Sequence, residues 1–162
     1  MITDLDLKEI AKKNKIPLID IFMKDNPPKY IQSGGYIINL QDQAQGEGGS
    51  HWVAMWFPPN KQHQILYMDS FGFIPSQSTI NWVKTRANEY RDKRIVYSDQ
   101  QIQNENSGGC GIYSLYFIDF MNKHQRQIPT KDLLAKWETL WSDKLTNNLT
   151  LLKQYAPYYM NS

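Results

Sequence analysis

After its first residue, the segment His51–Phe57 (HWVAMWF) is apolar at every position. A strand with one face in water alternates polar and apolar residues, so a run without alternation demands cover on both faces. The segment therefore predicts a central strand with helices packed on each side of its sheet. Tyr36–Leu40 (YIINL) and Gln64–Asp69 (QILYMD) are short, β-branched or aromatic, and bounded by Gly, Pro or Asn, and Arg94–Ser98 returns as a further strand. Between and around them the period lengthens to that of helices. Thr3–Asn14 offers Thr3 or Asp4 as N-cap, with Leu5, Ile10 and Ala11 along one side. Ser78–Arg91 repeats Ile80, Val83, Ala87 and Tyr90 at helical spacing, and Cys110–His124 carries enough apolar residues to predict a buried helix. Thr130–Ser142 and Asn147–Ala156 predict two more. Pro17–Gly35, with three prolines and the pair Gly34-Gly35, reads as a loop with one turn near Asp20–Lys24. The expected class is α+β, with a small central mixed β-sheet sandwiched by helices and residues 1–162 forming a single domain.

Charge gives little support to several functions. Lys and Arg number 18 against 16 Asp and Glu, a net of +2, which leaves no strong electrostatic footprint for nucleic acid or an anionic membrane. Lys84, Arg86, Arg91, Lys93 and Arg94 are expected on solvated faces. No apolar run approaches the ~18–20 residues of a membrane span, so a soluble, intracellular chain is expected. One Cys and three His (His51, His63, His124) do not make a metal-binding spacing, and His63 and His124 are expected at the surface. Gly46-Glu47-Gly48-Gly49 lacks the strand–helix frame of a phosphate-binding loop, so no cofactor is expected.

The lone cysteine sits where chemistry would want it. In SGGCGIYSLYF, Cys110 follows the Gly108-Gly109 turn and opens the buried helix, and N–H groups at a helix start favour the nucleophilic thiolate. A single cysteine is more often an inert buried residue, so its meaning depends on a base. A hairpin turning about Asn60 would set His51 directly opposite Asp69, close enough for the carboxylate to hold the imidazole's Nδ1–H. Together these make a base, an orienting acid and a nucleophile. An oxyanion also needs donors, and Gln100–Ser107 (QQIQNENS) supplies amides just ahead of Cys110. Gln103 is the chosen candidate, although spacing alone does not separate it from Gln101 or Asn104.

The segments GGSHWVAMW, YMDSFGF and IQNENSGGCGIYSLYFIDF resemble the His, acid, Gln and Cys boxes of the adenovirus proteases, the adenain family, within the wider group of ubiquitin-like-protein proteases. That family orders His, acid, Gln and Cys along the chain, with Trp after the His and Gly after the Cys, and Trp52 and Gly111 stand at those places. The resemblance extends to the N-terminal helix and to QYAPYY near the C-terminus. It implies a papain-like fold of adenain type, with Cys110 as nucleophile, His51 as base, Asp69 as its orienting acid and Gln103 in the oxyanion hole. It implies cysteine endopeptidase activity on viral capsid or core precursors at Gly-Gly-X or Gly-X-Gly sites, in the virion and the host cytoplasm or viral factory. The source it implies is an adenovirus-related small DNA virus, a virophage or a polinton-like element. It also implies a monomer stimulated by DNA or a peptide. Since Cys110 is the only thiol, such a peptide would be held non-covalently. Two alternatives share the boxes or the fold: a protease that removes ubiquitin or a ubiquitin-like modifier, and an inactive assembly or nucleic-acid-binding factor.

Overall fold

The computed structural model describes residues 2–41, 51–104, 108–126 and 130–158. Along the chain run α1 (Asp4–Lys13), β1 (Leu18–Met23), β2 (Gly34–Asn39), β3 (Trp52–Phe57), β4 (Ile65–Met68), α2 (Gln77–Arg86), β5 (Ile95–Ser98), α3 (Cys110–His124), α4 (Thr130–Glu138) and α5 (Asn148–Tyr155). The strands lie in chain order in one five-stranded sheet. β1 is parallel to β2, β2–β3–β4 are antiparallel, and β5 is parallel to β4, so the sheet is mixed.

β3 occupies the middle and all of its residues are buried, as its unbroken apolar run requires. Its alternate residues go to opposite layers. Trp52, Ala54 and Trp56 pack with Leu66 and Met68 of β4 against α3 and residues of α1, α4 and α5. Val53, Met55 and Phe57 pack with Ile65 and Tyr67 against Trp82 and Val83 of α2 and against Tyr90. On that second side Trp82 meets Phe22, Tyr36 and Phe57 edge to face, with ring centroids 4.9–5.6 Å apart, an arrangement that aromatic quadrupoles favour.

Pro17–Gly35 departs from its expected loop. Leu18–Met23 is an edge strand, and Gly34 and Gly35 open β2 opposite Phe57 and Trp56. Pro17 precedes β1 rather than interrupting it, so its missing N–H removes no ladder bond. Helix limits also move. Ala87 caps α2, and Tyr90 reaches the core from beyond the helix, its hydroxyl donating to the Pro58 carbonyl at 2.6 Å. α4 ends at Glu138 instead of Ser142. In α1, Thr3 is the N-cap in a reciprocal pair with Asp6. Leu7 with Ala11 forms the buried stripe, and Leu5 points outward at 70% exposure. The Gly-rich stretch Gln43–Ser50 lies outside the described residues.

Candidate active site

The nucleophile candidate is placed by a loop-to-helix junction. Gly109 has φ of 106°, a conformation that costs a side-chain-bearing residue dearly, and it turns the chain straight into α3 at Cys110. Among the described residues no side chain caps this end, and the first-turn N–H groups have no acceptor within the helix. The helix cannot drift, because every residue from Gly111 to Met121 is buried. Gly111 brings α3 against the sheet: a Cβ there would lie 2.5 and 2.7 Å from ring atoms of Trp52. Ser114 adds a hydrogen bond from its Oγ to the Trp52 carbonyl, 3.2 Å. The residue after Cys110 thus touches the residue after His51.

His51 precedes β3, and its carbonyl accepts from the Leu40 N–H at 3.0 Å. Its Nε2–H donates to Asp69 Oδ1 at 2.7 Å, and Asp69 is fully buried. The same oxygen accepts the Phe71 N–H at 2.8 Å, and the Phe71 ring stacks on the imidazole with centroids 4.0 Å apart and planes 6° from parallel. Two expectations are corrected. β3 and β4 pair Ala54 with Met68, Met55 with Tyr67 and Trp56 with Leu66, a register centred one residue later than a turn about Asn60 would give. Continued past the strand ends, that register sets Phe71 opposite His51 and makes Asp69 the diagonal neighbour. A slip of two keeps both side chains on one face, so the contact survives. The second correction concerns the ring atom, since Asp69 holds Nε2 and not Nδ1.

Nδ1 is buried, and Cys110 lies near enough to act on the ring as a hydrogen-bonding and charged neighbour. Burial opposes the imidazolium, but the Asp69 carboxylate and the Cys110 sulfur outweigh it and push the His51 pKa up to about 9. The arrangement favours a charged imidazole between an acid and a sulfur.

Burial separates the amide candidates. Gln101 and Asn104 are exposed, whereas Gln103 is 1% exposed. Its Nε2 donates to the Gly108 carbonyl at 2.7 Å, in the turn that leads to Cys110, and its Oε1 accepts from Ser70 Oγ at 2.5 Å. The Ser70 carbonyl accepts the N–H groups of Ile102 and Gln103 at 2.9 and 3.1 Å, and Asn148 Nδ2 donates to the Ile102 carbonyl at 2.8 Å. Ser70, Phe71 and Asn148 were not legible as site residues. The tight Asp-Ser-Phe-Gly turn is a signal for the first two, while nothing in the sequence marks Asn148.

The remaining candidates lie elsewhere. His63 and His124 are partly exposed, against Asn60 and Phe120. Lys84, Arg86, Arg91 and Arg94 are exposed, and Arg94 pairs with Asp92 at 2.9 Å. Among the described residues no group of three His, Cys, Asp or Glu could hold a metal ion, and no helix is long and apolar enough to cross a membrane.

A five-stranded mixed sheet with helices on both faces defines a papain-like α+β fold, and it brings a buried acid onto a histidine near a helix-initial cysteine. The family model for the adenovirus endoprotease matches residues 28–153, and the chain belongs to that family. The protease of equine adenovirus B serotype 2 is 29% identical over 129 residues, covering 72% of this chain and 63% of its own length. The protease of bovine adenovirus 2 is 31% identical over 107 residues, covering 57% of this chain and 50% of its own. This chain thus spans less than two thirds of the length of these relatives. In structure it is similar to the selenomethionine form of the ASFV pS273R protease, with a TM-score of 0.50 and 18% identity, over 84% of this chain and 64% of that one.

Proposed function

We propose that this chain is a cysteine endopeptidase that cuts capsid or core precursor proteins at small-residue sites of Gly-Gly-X or Gly-X-Gly type during virion maturation, in the virion and the host cytoplasm or viral factory. The observation that carries the activity is His51 held by Asp69 with Cys110 acting on its ring, in a chain of the adenovirus endoprotease family. The Cys110 thiolate attacks the scissile carbonyl carbon, and the carbonyl electron pair moves to oxygen. Gln103 Nε2–H and the Cys110 backbone N–H would stabilise that oxyanion. On collapse the C–N bond breaks and the His51 imidazolium gives its proton to the leaving amine, leaving a thioester. Water then attacks the thioester while His51 takes its proton, releasing the acid and restoring Cys110.

The test is reaction with a Gly-Gly peptide bearing a cysteine-directed electrophile, read by mass spectrometry with and without added DNA. A single adduct on Cys110, lost or greatly slowed in His51→Ala, is the expected result. No adduct under either condition would overturn the reading. Cleavage of a capsid precursor against a modifier-linked substrate then decides between precursor processing and modifier removal.

A pH profile follows from the imidazole. kcat/KM should fall as pH rises through about 9, where His51 loses its proton. In Asp69→Asn the chief influence raising that pKa is removed, and the alkaline limb should move down by about one unit or more. Stability should follow the same sign. A folded-state pKa of about 9 against an ordinary value of 6.5 gives a contribution complete below pH ~6.5 and lost as pH rises through 9. Thermal melts between pH 6 and pH 10 check it.

A further inference from the structure

We infer that Ser70 is a positioning residue for Gln103, its hydroxyl fixing which end of the buried carboxamide is turned toward the Cys110 loop. This rests on the reading of Gln103 as an oxyanion donor.

Three consecutive residues of one turn each address a different part of the site. Asp69 holds the imidazole Nε2, Ser70 meets Gln103, and Phe71 stacks on the imidazole. The turn is closed by the Gly72 N–H on the Asp69 carbonyl at 2.8 Å. Ser70 makes two kinds of contact with the strand of chain ahead of Cys110. Its carbonyl accepts two backbone N–H groups, at 2.9 and 3.1 Å, and these locate the backbone of Ile102 and Gln103. Its hydroxyl donates to Gln103 Oε1 at 2.5 Å and acts on the side chain alone. A carboxamide has nearly the same shape in either of its two orientations, so hydrogen-bond partners decide which is adopted.

Here the Gly108 and Ser70 groups agree. Gly108 offers a carbonyl, which can only accept, and the Ser70 hydroxyl can donate to Oε1. Nε2 therefore faces the Gly108–Cys110 turn and Oε1 faces the turn that bears Asp69. The reversed orientation would set two carbonyl-type oxygens 2.7 Å apart at Gly108. Ser70 and Gln103 are both buried, at 0% and 1% exposure, so neither partner is readily replaced by bulk water. Removing the hydroxyl leaves the two backbone bonds in place and loosens the amide.

Two chemistries at one sulfur separate this role from a structural one. Turnover of an acetylated Gly-Gly aminomethylcoumarin amide forms an oxyanion. Alkylation of Cys110 by iodoacetamide, a displacement at saturated carbon, forms none, yet it still needs the thiolate beside His51. Both rates are measured for the full chain, Ser70→Ala, Gln103→Ala, the double variant and Cys110→Ala. Ser70→Ala should lower kcat by about tenfold or more with KM little changed, and Gln103→Ala by about 10²–10³. Alkylation of both single variants should stay within about twofold, because the His51–Asp69 contact is untouched. The double variant should be no slower than Gln103→Ala alone, as expected of one residue acting through another.

An unchanged kcat in Ser70→Ala would overturn the inference. So would an equal loss in the Gln103→Ala background, or alkylation slowing in step with kcat, which would place the effect on the Asp69 turn. Full activity in Gln103→Ala, or turnover that survives in Cys110→Ala, would instead overturn the reading on which the inference rests.

Discussion

Cys110→Ala is expected to abolish hydrolysis of Gly-Gly peptide amides while the protein unfolds at nearly its original temperature. The sulfur is the only protein atom in the proposed mechanism that forms a bond to carbon, so no other residue can take over its step. Loss of a nucleophile from a constellation of this kind costs about 10⁴–10⁶ in kcat. Stability is a separate matter. Cys110 is half-buried, and it contributes only the edge of a core whose bulk is the run Gly111–Met121. Truncating one sulfur at such a site removes little packed surface, so a cost of about 1 kcal/mol or less is expected. Removing the Cys110 sulfur also takes away one of the influences that raise the His51 pKa, which in the variant should lie below about 9. Peptide turnover, a thermal melt and titration of the imidazole check the three parts. A variant that still cleaves would remove Cys110 from the chemistry.

Gly111→Ala should damage stability and catalysis together, although the residue carries no reactive group. The added Cβ would lie 2.5 Å from one Trp52 ring carbon, 2.7 Å from the next and 3.2 Å from a methyl of Leu7. Carbon atoms in contact prefer about 3.5–4.0 Å, so something must move by about an ångström. The ring has little room to retreat, at 7% exposure and with its carbonyl held by Ser114. The helix start must give way instead, and Cys110 is its first residue. Overpacking of this kind costs about 1–3 kcal/mol, and a comparable misplacement of reacting groups costs about 10² in rate. A melt, with the alkylation rate of Cys110, reads both effects. Unchanged values would mean that the Trp52–Gly111 contact does not set the distance from Cys110 to His51.

Much of this was visible in the chain before any coordinates. The absence of polar alternation in HWVAMWF required a central strand with cover on two sides, and β3 is that strand. The cysteine's place at a helix start followed from two glycines preceding an apolar run. What escaped notice did so for physical reasons. LIDIFM is an edge strand in which every residue is half-buried, so its pattern is weak, and flanking prolines masked it although none lies within it. The hairpin register turned on the centre of a long turn, which sequence fixes poorly, and the face survived only because the error was an even number of residues. Gln103 could not be told from Gln101 by composition, because what separates them is the burial of Gln103, whose amide meets Ser70 from a distant part of the chain.

The dispersal of these groups also bears on how the molecule comes into being. His51 and Asp69 belong to one hairpin, but Cys110 meets them only when α3 has docked on the sheet, and the Gln103 segment is tied down by Asn148 on a later element still. Contacts between residues so widely separated form late, after the entropy of closing long loops has been overcome. A nascent or partly melted chain therefore contains every reactive group without the constellation. On the proposed function, hydrolytic power would arrive only once α3 has docked on the sheet.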